Sequence, residues 1–117
     1  MLIIRDAQME AFRLAALRPV EDRCVRLVRE HWSALYAARS EADVRAELRH
    51  LFAVAPRWGF RSERELFRLA NAACFLGLGF QRAPEAAWAV RILEDAGAAP
   101  GARLRALFAR FDPEAGA

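Results

Sequence analysis

Ser62-Glu63-Arg64-Glu65-Leu66-Phe67-Arg68-Leu69-Ala70-Asn71-Ala72-Ala73-Cys74-Phe75-Leu76-Gly77-Leu78-Gly79-Phe80 reads as the start, body and end of one helix. Ser62 and Glu65 form a full capping box: the hydroxyl can accept from the Glu65 amide while the carboxylate reaches back to the Ser62 amide. The pattern predicts a helix over about 63–78, amphipathic at first and apolar on every side after Leu69. A helix that is apolar all round belongs at the centre of a bundle. Asn71 and the small residues Ala70, Ala72, Ala73 and Gly77 let neighbouring helices come close. The run 69–80 falls short of the ~20 residues a membrane span needs. Gly77 and Gly79 superficially resemble a phosphate loop, but they follow a helix rather than a strand and lack a downstream glycine or lysine. A left-handed turn at a helix end explains them better.

Working back from Ser62, Arg57-Trp58-Gly59-Phe60-Arg61 is a short connection, and Pro56 stops the helix before it. That helix opens at Ser40-Glu41-Ala42-Asp43, a capping box with Asp in place of Glu, and carries the apolar stripe Val44, Leu48, Leu51, Phe52 and Ala55. A helix from Pro19 to about Ala38 precedes it, with Val20, Cys24, Leu27, Val28, His31 and Leu35 facing the core. Arg23, Arg26, Arg29 and Glu30 fall on its other side. A first helix, capped by Asp6, runs through about Leu17 with Met9, Phe12, Leu14 and Leu17 as apolar contacts.

Working forward, Ala83-Pro84-Glu85 starts a helix that carries Trp88, Ile92 and Leu93 and ends at Gly97. Pro100 starts the last, with the stripe Leu104, Leu107, Phe108 and Phe111, closed by Asp112-Pro113. No segment alternates with a period of two. The expected fold is all-α: one domain over 1–117, a compact bundle of five to six helices around the helix at 63–78.

Composition supports a folded chain and narrows its chemistry. Of 117 residues, 56% are hydrophobic and 28% charged, enough for a packed core under a soluble surface. Arg5 and Asp6 interrupt the apolar opening Met1-Leu2-Ile3-Ile4, so no signal peptide is expected. Cys24 and Cys74 sit among apolar neighbours without C-x-x-C spacing, as buried thiols of a reducing, cytoplasmic compartment do. The net charge of +3 permits an acidic partner without requiring one, since both signs are interspersed.

No catalytic, metal or cofactor motif stands out. His31 and His50 lie on different helices and outside H-x-x-x-H spacing. Cys24 and His31 share a helical face but sit ~10 Å apart along the axis, too far for a nucleophile pair. Ser33, Ser40 and Ser62 have no G-x-S-x-G setting. Nucleic-acid binding is the alternative to weigh, through the stripe Arg23, Arg26 and Arg29, yet Glu21, Asp22 and Glu30 lie beside it and oppose phosphate. Trp58 and Phe60, between Arg57 and Arg61, have the make-up of a protein-contact hot spot. Their other reading is as core plugs folded back onto the bundle.

Most of the chain resembles a family of small helical bacterial proteins whose genes often lie beside those for the spike and tip proteins of type VI secretion systems. The resemblance is carried by Ile4-Arg5-Asp6-Ala7-Gln8-Met9-Glu10-Ala11-Phe12, then Gly59 and Ser62-Glu63-Arg64-Glu65, then Leu78-Gly79-Phe80. It continues through Pro84, Trp88-Ala89, Ile92-Leu93-Glu94-Asp95 and Ala102-Arg103-Leu104. The family favours acidic residues after the glycine–phenylalanine turn, where this chain has Gln81 and Arg82. The resemblance implies a non-catalytic adaptor, chaperone or immunity-type protein whose partner is a secreted effector or a spike or tip protein. The candidate contacts are Arg57, Trp58, Phe60, Arg61, Gln81 and Arg82.

Overall fold

The computed structural model describes residues 6–111, apart from the side chains of Asp6, Ala7, Glu10 and Leu14. Those residues are all-α, with no strand among them. The described residues form seven α-helices: α1 (Asp6–Ala16), α2 (Arg18–His31), α3 (Ser33–Ala38), α4 (Glu41–Val54), α5 (Glu63–Leu76), α6 (Ala87–Glu94) and α7 (Pro100–Phe111). Short 3-10 turns cover Ala55–Trp58, Phe80–Arg82 and Pro84–Ala86.

Where local chemistry sets a boundary, sequence and structure agree. The Ser62 hydroxyl accepts from the Glu65 amide at 3.1 Å and the Glu65 carboxylate accepts from the Ser62 amide at 3.0 Å. At Ser40 only half the box forms, because Asp43 turns to Arg39 instead, at 3.0 Å. Pro56 opens a 3-10 turn that ends at Gly59, whose φ of 89° suits glycine. Gly77 and Gly79, at φ 105° and 88°, make the left-handed exit from α5. The expected caps at Asp6 and Asp112-Pro113, and the Leu14 contact, lie outside the described residues.

Two boundaries differ from expectation. The helix from Pro19 to Ala38 breaks at Trp32, whose φ and ψ of −130° and 50° separate α2 from α3. The Trp32 indole is drawn toward α5, donating to Asn71 Oδ1 at 3.2 Å and meeting Phe75 edge-on at 4.7 Å. His31, placed on the core face by periodicity, is exposed where α2 ends. The helix expected from Pro84 begins as a 3-10 turn, so α6 is short.

The buried cluster draws on every helix from α2 to α7 except α3, and includes Val20, Leu48, Phe52, Phe60, Leu69, Phe80, Leu93 and Leu104. Each such side chain contributes about 1.5–3 kcal/mol on burial. Glu21 of α2 is 3% exposed and clamped by α4: Arg45 Nη1 donates to it at 2.5 Å and Arg49 Nε at 2.7 Å. α1 packs on the edges of α4 and α2, where the Arg13 guanidinium donates to the Phe52 carbonyl. Met9 and Phe12, expected to be core contacts, are instead 58% and 71% exposed among the described residues, where α1 packs on α4 and α2 with its other side.

Candidate protein-contact surface

α5 supplies the centre of the candidate surface. Its first two turns and inner face bury Leu66, Leu69, Ala70, Ala72, Ala73 and Cys74. Phe75, expected inside an all-apolar helix, is instead 49% exposed. The burial of Ala72 and Ala73 sets the phase, and Phe75 turns outward onto α7. Its ring stacks on Phe111 at 4.9 Å with planes 10° apart, and meets Phe108 edge-on at 6.4 Å. Trp32 closes one side at 4.7 Å and Trp88 of α6 reaches Phe111 at 6.5 Å.

Arginines cover the edges of these rings. The Arg68 guanidinium sits 5.7 Å from the Phe108 centroid and that of Arg110 4.7 Å from Trp88. Neither has a carboxylate partner among the described residues. From Trp88 the surface continues into a groove of about 720 Å³ between α6 and α7, lined by Ile92, Ala102 and Ala106 with Arg91, Arg110, Glu94 and Asp95 beside them. Such an aromatic and arginine surface, part exposed and part packed, has the composition of a protein-contact hot spot.

The candidates drawn from the sequence divide into three groups. Trp58 is 6% exposed and Phe60 fully buried, as the core-plug reading expects, and Trp58 also forms part of the wall of the cleft around Gln81. The cause is Arg103, which pins this connection from below: its Nη1 donates to the Trp58 carbonyl at 2.5 Å and its guanidinium lies 5.5 Å from the Phe60 ring. Arg57, Gln81 and Arg82 meet around a cleft of about 440 Å³ beside Val54, Val90 and Glu94. Arg82 is held there by Glu47 at 2.7 Å, and both polar atoms of the Gln81 amide are buried without a hydrogen-bond partner. Arg61 is exposed elsewhere, its amide donating to Glu65.

On α2, Arg23, Arg26 and Arg29 are all exposed as expected. Arg23 is occupied, 3.9 Å from the Glu63 carboxylate and 5.3 Å from the Phe67 centroid, while Arg26 shares a cleft with Glu30. Among the described residues no three His, Cys, Asp or Glu side chains are grouped to hold a metal ion. No helix among them is long and apolar enough to cross a membrane. Cys24 and Cys74 are both buried and free, and burial pushes their thiols up to about 12 and about 11.

Against protein-family models, curated proteins and solved structures, the chain finds no match. The surface was only partly visible in the sequence. Phe108 and Phe111 at i and i+3 on a predicted helix were its one local signal; the contribution of Phe75 depends on the phase of a helix with no polar face.

Proposed function

We propose that this chain is a non-catalytic protein-interaction module acting in the cytoplasm, as an adaptor, chaperone or immunity-type accessory of a type VI secretion effector. The observation that carries the interaction reading is the surface of Phe75, Phe108, Phe111, Trp32 and Trp88 under Arg68 and Arg110, which have no carboxylate partner among the described residues. The secretion assignment rests on the family resemblance. In this reading a single domain packed around α5 is the scaffold. Rigid rings give contact area at low entropic cost, and the arginines favour an acidic partner surface. Arg57, Arg61, Gln81 and Arg82 stand as secondary contacts.

The test is co-purification of the tagged chain with the spike, tip and effector proteins encoded beside it. Capture of one of them by the wild type, lost in Phe75→Glu, supports the proposal; no capture of any of them contradicts it. The second reading, an arginine-rich DNA-binding regulator, draws on Arg26 and Arg29, which are exposed, although Glu30 shares the cleft of Arg26 and Glu41 lies in the field of Arg29. It requires duplex binding that weakens steeply with salt and is lost on replacing Arg23, Arg26 and Arg29.

A further inference from the structure

We propose that the partner presents an amphipathic helix to the groove between α6 and α7, acidic where it meets Trp88 and basic where it meets the α6–α7 turn. This rests on the interaction reading above and names the element that the surface takes. The groove opens off the ring surface at Trp88, and its apolar lining is Ile92, Ala102 and Ala106. Ala102 and Ala106 lie one turn apart and have nothing beyond Cβ, so a second helix can approach to about 8 Å, the close end of helix packing. Trp88 and Asp95, which both line the groove, are two turns apart, ~10 Å of helix length. Both walls are helices, whose backbone groups bond within each helix. An extended chain lying between them would find no ladder to join, whereas a helix satisfies its own backbone.

Charge sets which end is which. At the ring end the lining includes Arg110, whose guanidinium lies 4.7 Å from the Trp88 centroid, and Arg91 follows Trp88 by about one turn of α6. Both are exposed, and neither is in an ion pair among the described residues. At the turn end stand Asp95 and Glu94, which also borders the cleft beside Gln81. These carboxylates are in no ion pair among the described residues either; Asp95 Oδ1 accepts from the Gly97 amide at 2.9 Å. Arg103, the third cation of the lining, is held by the carbonyls of Trp58, Leu93 and Ala98. A uniformly acidic helix would meet repulsion at Glu94 and Asp95, and a uniformly basic one at Arg91 and Arg110. A helix whose charge changes sign along its length, with an apolar ridge between, is complementary throughout.

Titration calorimetry of the full chain with the partner that co-purifies, followed by hydrogen exchange on the complex, tests it. Ala106 is exposed, so Ala106→Gln fills the groove without entering the core and is expected to weaken binding about tenfold. Arg91→Glu and Glu94→Arg, also at exposed positions, are each expected to weaken it about fivefold at low salt and less at high salt. They carry the test should Ala106→Gln lose its helical circular dichroism. In the complex, new protection is expected on α6 and α7 and on one helical segment of the partner. Affinity within about twofold of wild type in Ala106→Gln, with Phe75→Ala weakened, overturns this inference and leaves the interaction reading standing. Wild-type affinity in both variants removes the two together. A Glu94→Arg variant that binds more tightly than wild type overturns the order of charges, and partner protection confined to a non-helical segment overturns the helix.

Discussion

Arg103 and Trp58, 45 positions apart, are joined in the core by a hydrogen bond of 2.5 Å from Arg103 Nη1 to the Trp58 carbonyl. The same nitrogen donates to the Leu93 carbonyl at 2.6 Å and Nε to that of Ala98 at 3.0 Å. A buried cation is thus satisfied by carbonyls, one of them in the last turn of α6, where the helix dipole is negative. It locks the Trp58–Phe60 connection against the α6–α7 hairpin.

Arg103→Lys keeps the charge but loses the planar fork that reaches three carbonyls at once. It is expected to destabilise the chain by about 2–3 kcal/mol in urea unfolding. A change below about 0.5 kcal/mol would show that the clamp is dispensable.

Acid should loosen the α2–α4 contact. Burial pushes the Glu21 carboxyl up, but the hydrogen bonds from Arg49 and Arg45 outweigh it and hold the group below its ordinary value of 4.5. A carboxyl lowered in the folded state stabilises fully above that ordinary value, and the contribution is lost as pH falls through the lower folded one. The urea midpoint of the wild type should therefore hold steady from neutral pH to about 5 and drop below that. In Glu21→Gln the midpoint is lower at neutral pH and the acid drop shallower. An identical acid drop in both would assign it to other carboxylates.

The thiols should be silent in the folded chain. With Cys24 and Cys74 buried and pushed up to about 12 and about 11, neither offers thiolate near neutral pH. A chromogenic disulfide reagent at about pH 8 should react only as fast as the chain unfolds, and with both cysteines at once in denaturant. Rapid native labelling would mean that α2 and α5 open far more often than this packing allows.

Ser62→Ala is expected to cost about 1 kcal/mol, the usual value for a cap. Glu65→Gln should cost less, since its amide oxygen still accepts from the Ser62 backbone. Thermal unfolding followed by circular dichroism measures both, and equal stability of Ser62→Ala and wild type would remove the capping box as a determinant of α5.

These cases mark what the sequence reveals. The capping box at Ser62, the N-cap at Ser40 (though not the Asp43 half of its box), the stop at Pro56 and the stripe Val44–Leu48–Leu51–Phe52 are local, and each is found where the pattern places it. The break at Trp32 depends on Asn71, 39 positions away, and no glycine or proline marks it. The apolar α5 segment carries no phase of its own, so the outward turn of Phe75 becomes visible only once Ala72 and Ala73 are seen buried. Arg103 was illegible for the opposite reason: arginine is expected outside, and its burial is made tolerable by three converging carbonyls, with the Phe60 ring and the Glu65 carboxylate nearby.

The central claim is that a partner protein is held by the Phe75 surface. Titration calorimetry with the co-purified partner tests it most directly, comparing wild type with Phe75→Ala, Arg110→Ala and Arg57→Ala. Phe75→Ala is expected to weaken binding at least tenfold, about 1.4 kcal/mol, with a smaller loss for Arg110→Ala and a change within about twofold for Arg57→Ala. Wild-type affinity in Phe75→Ala, with the loss falling on Arg57→Ala instead, would move the contact to the cleft beside Gln81 and contradict the account.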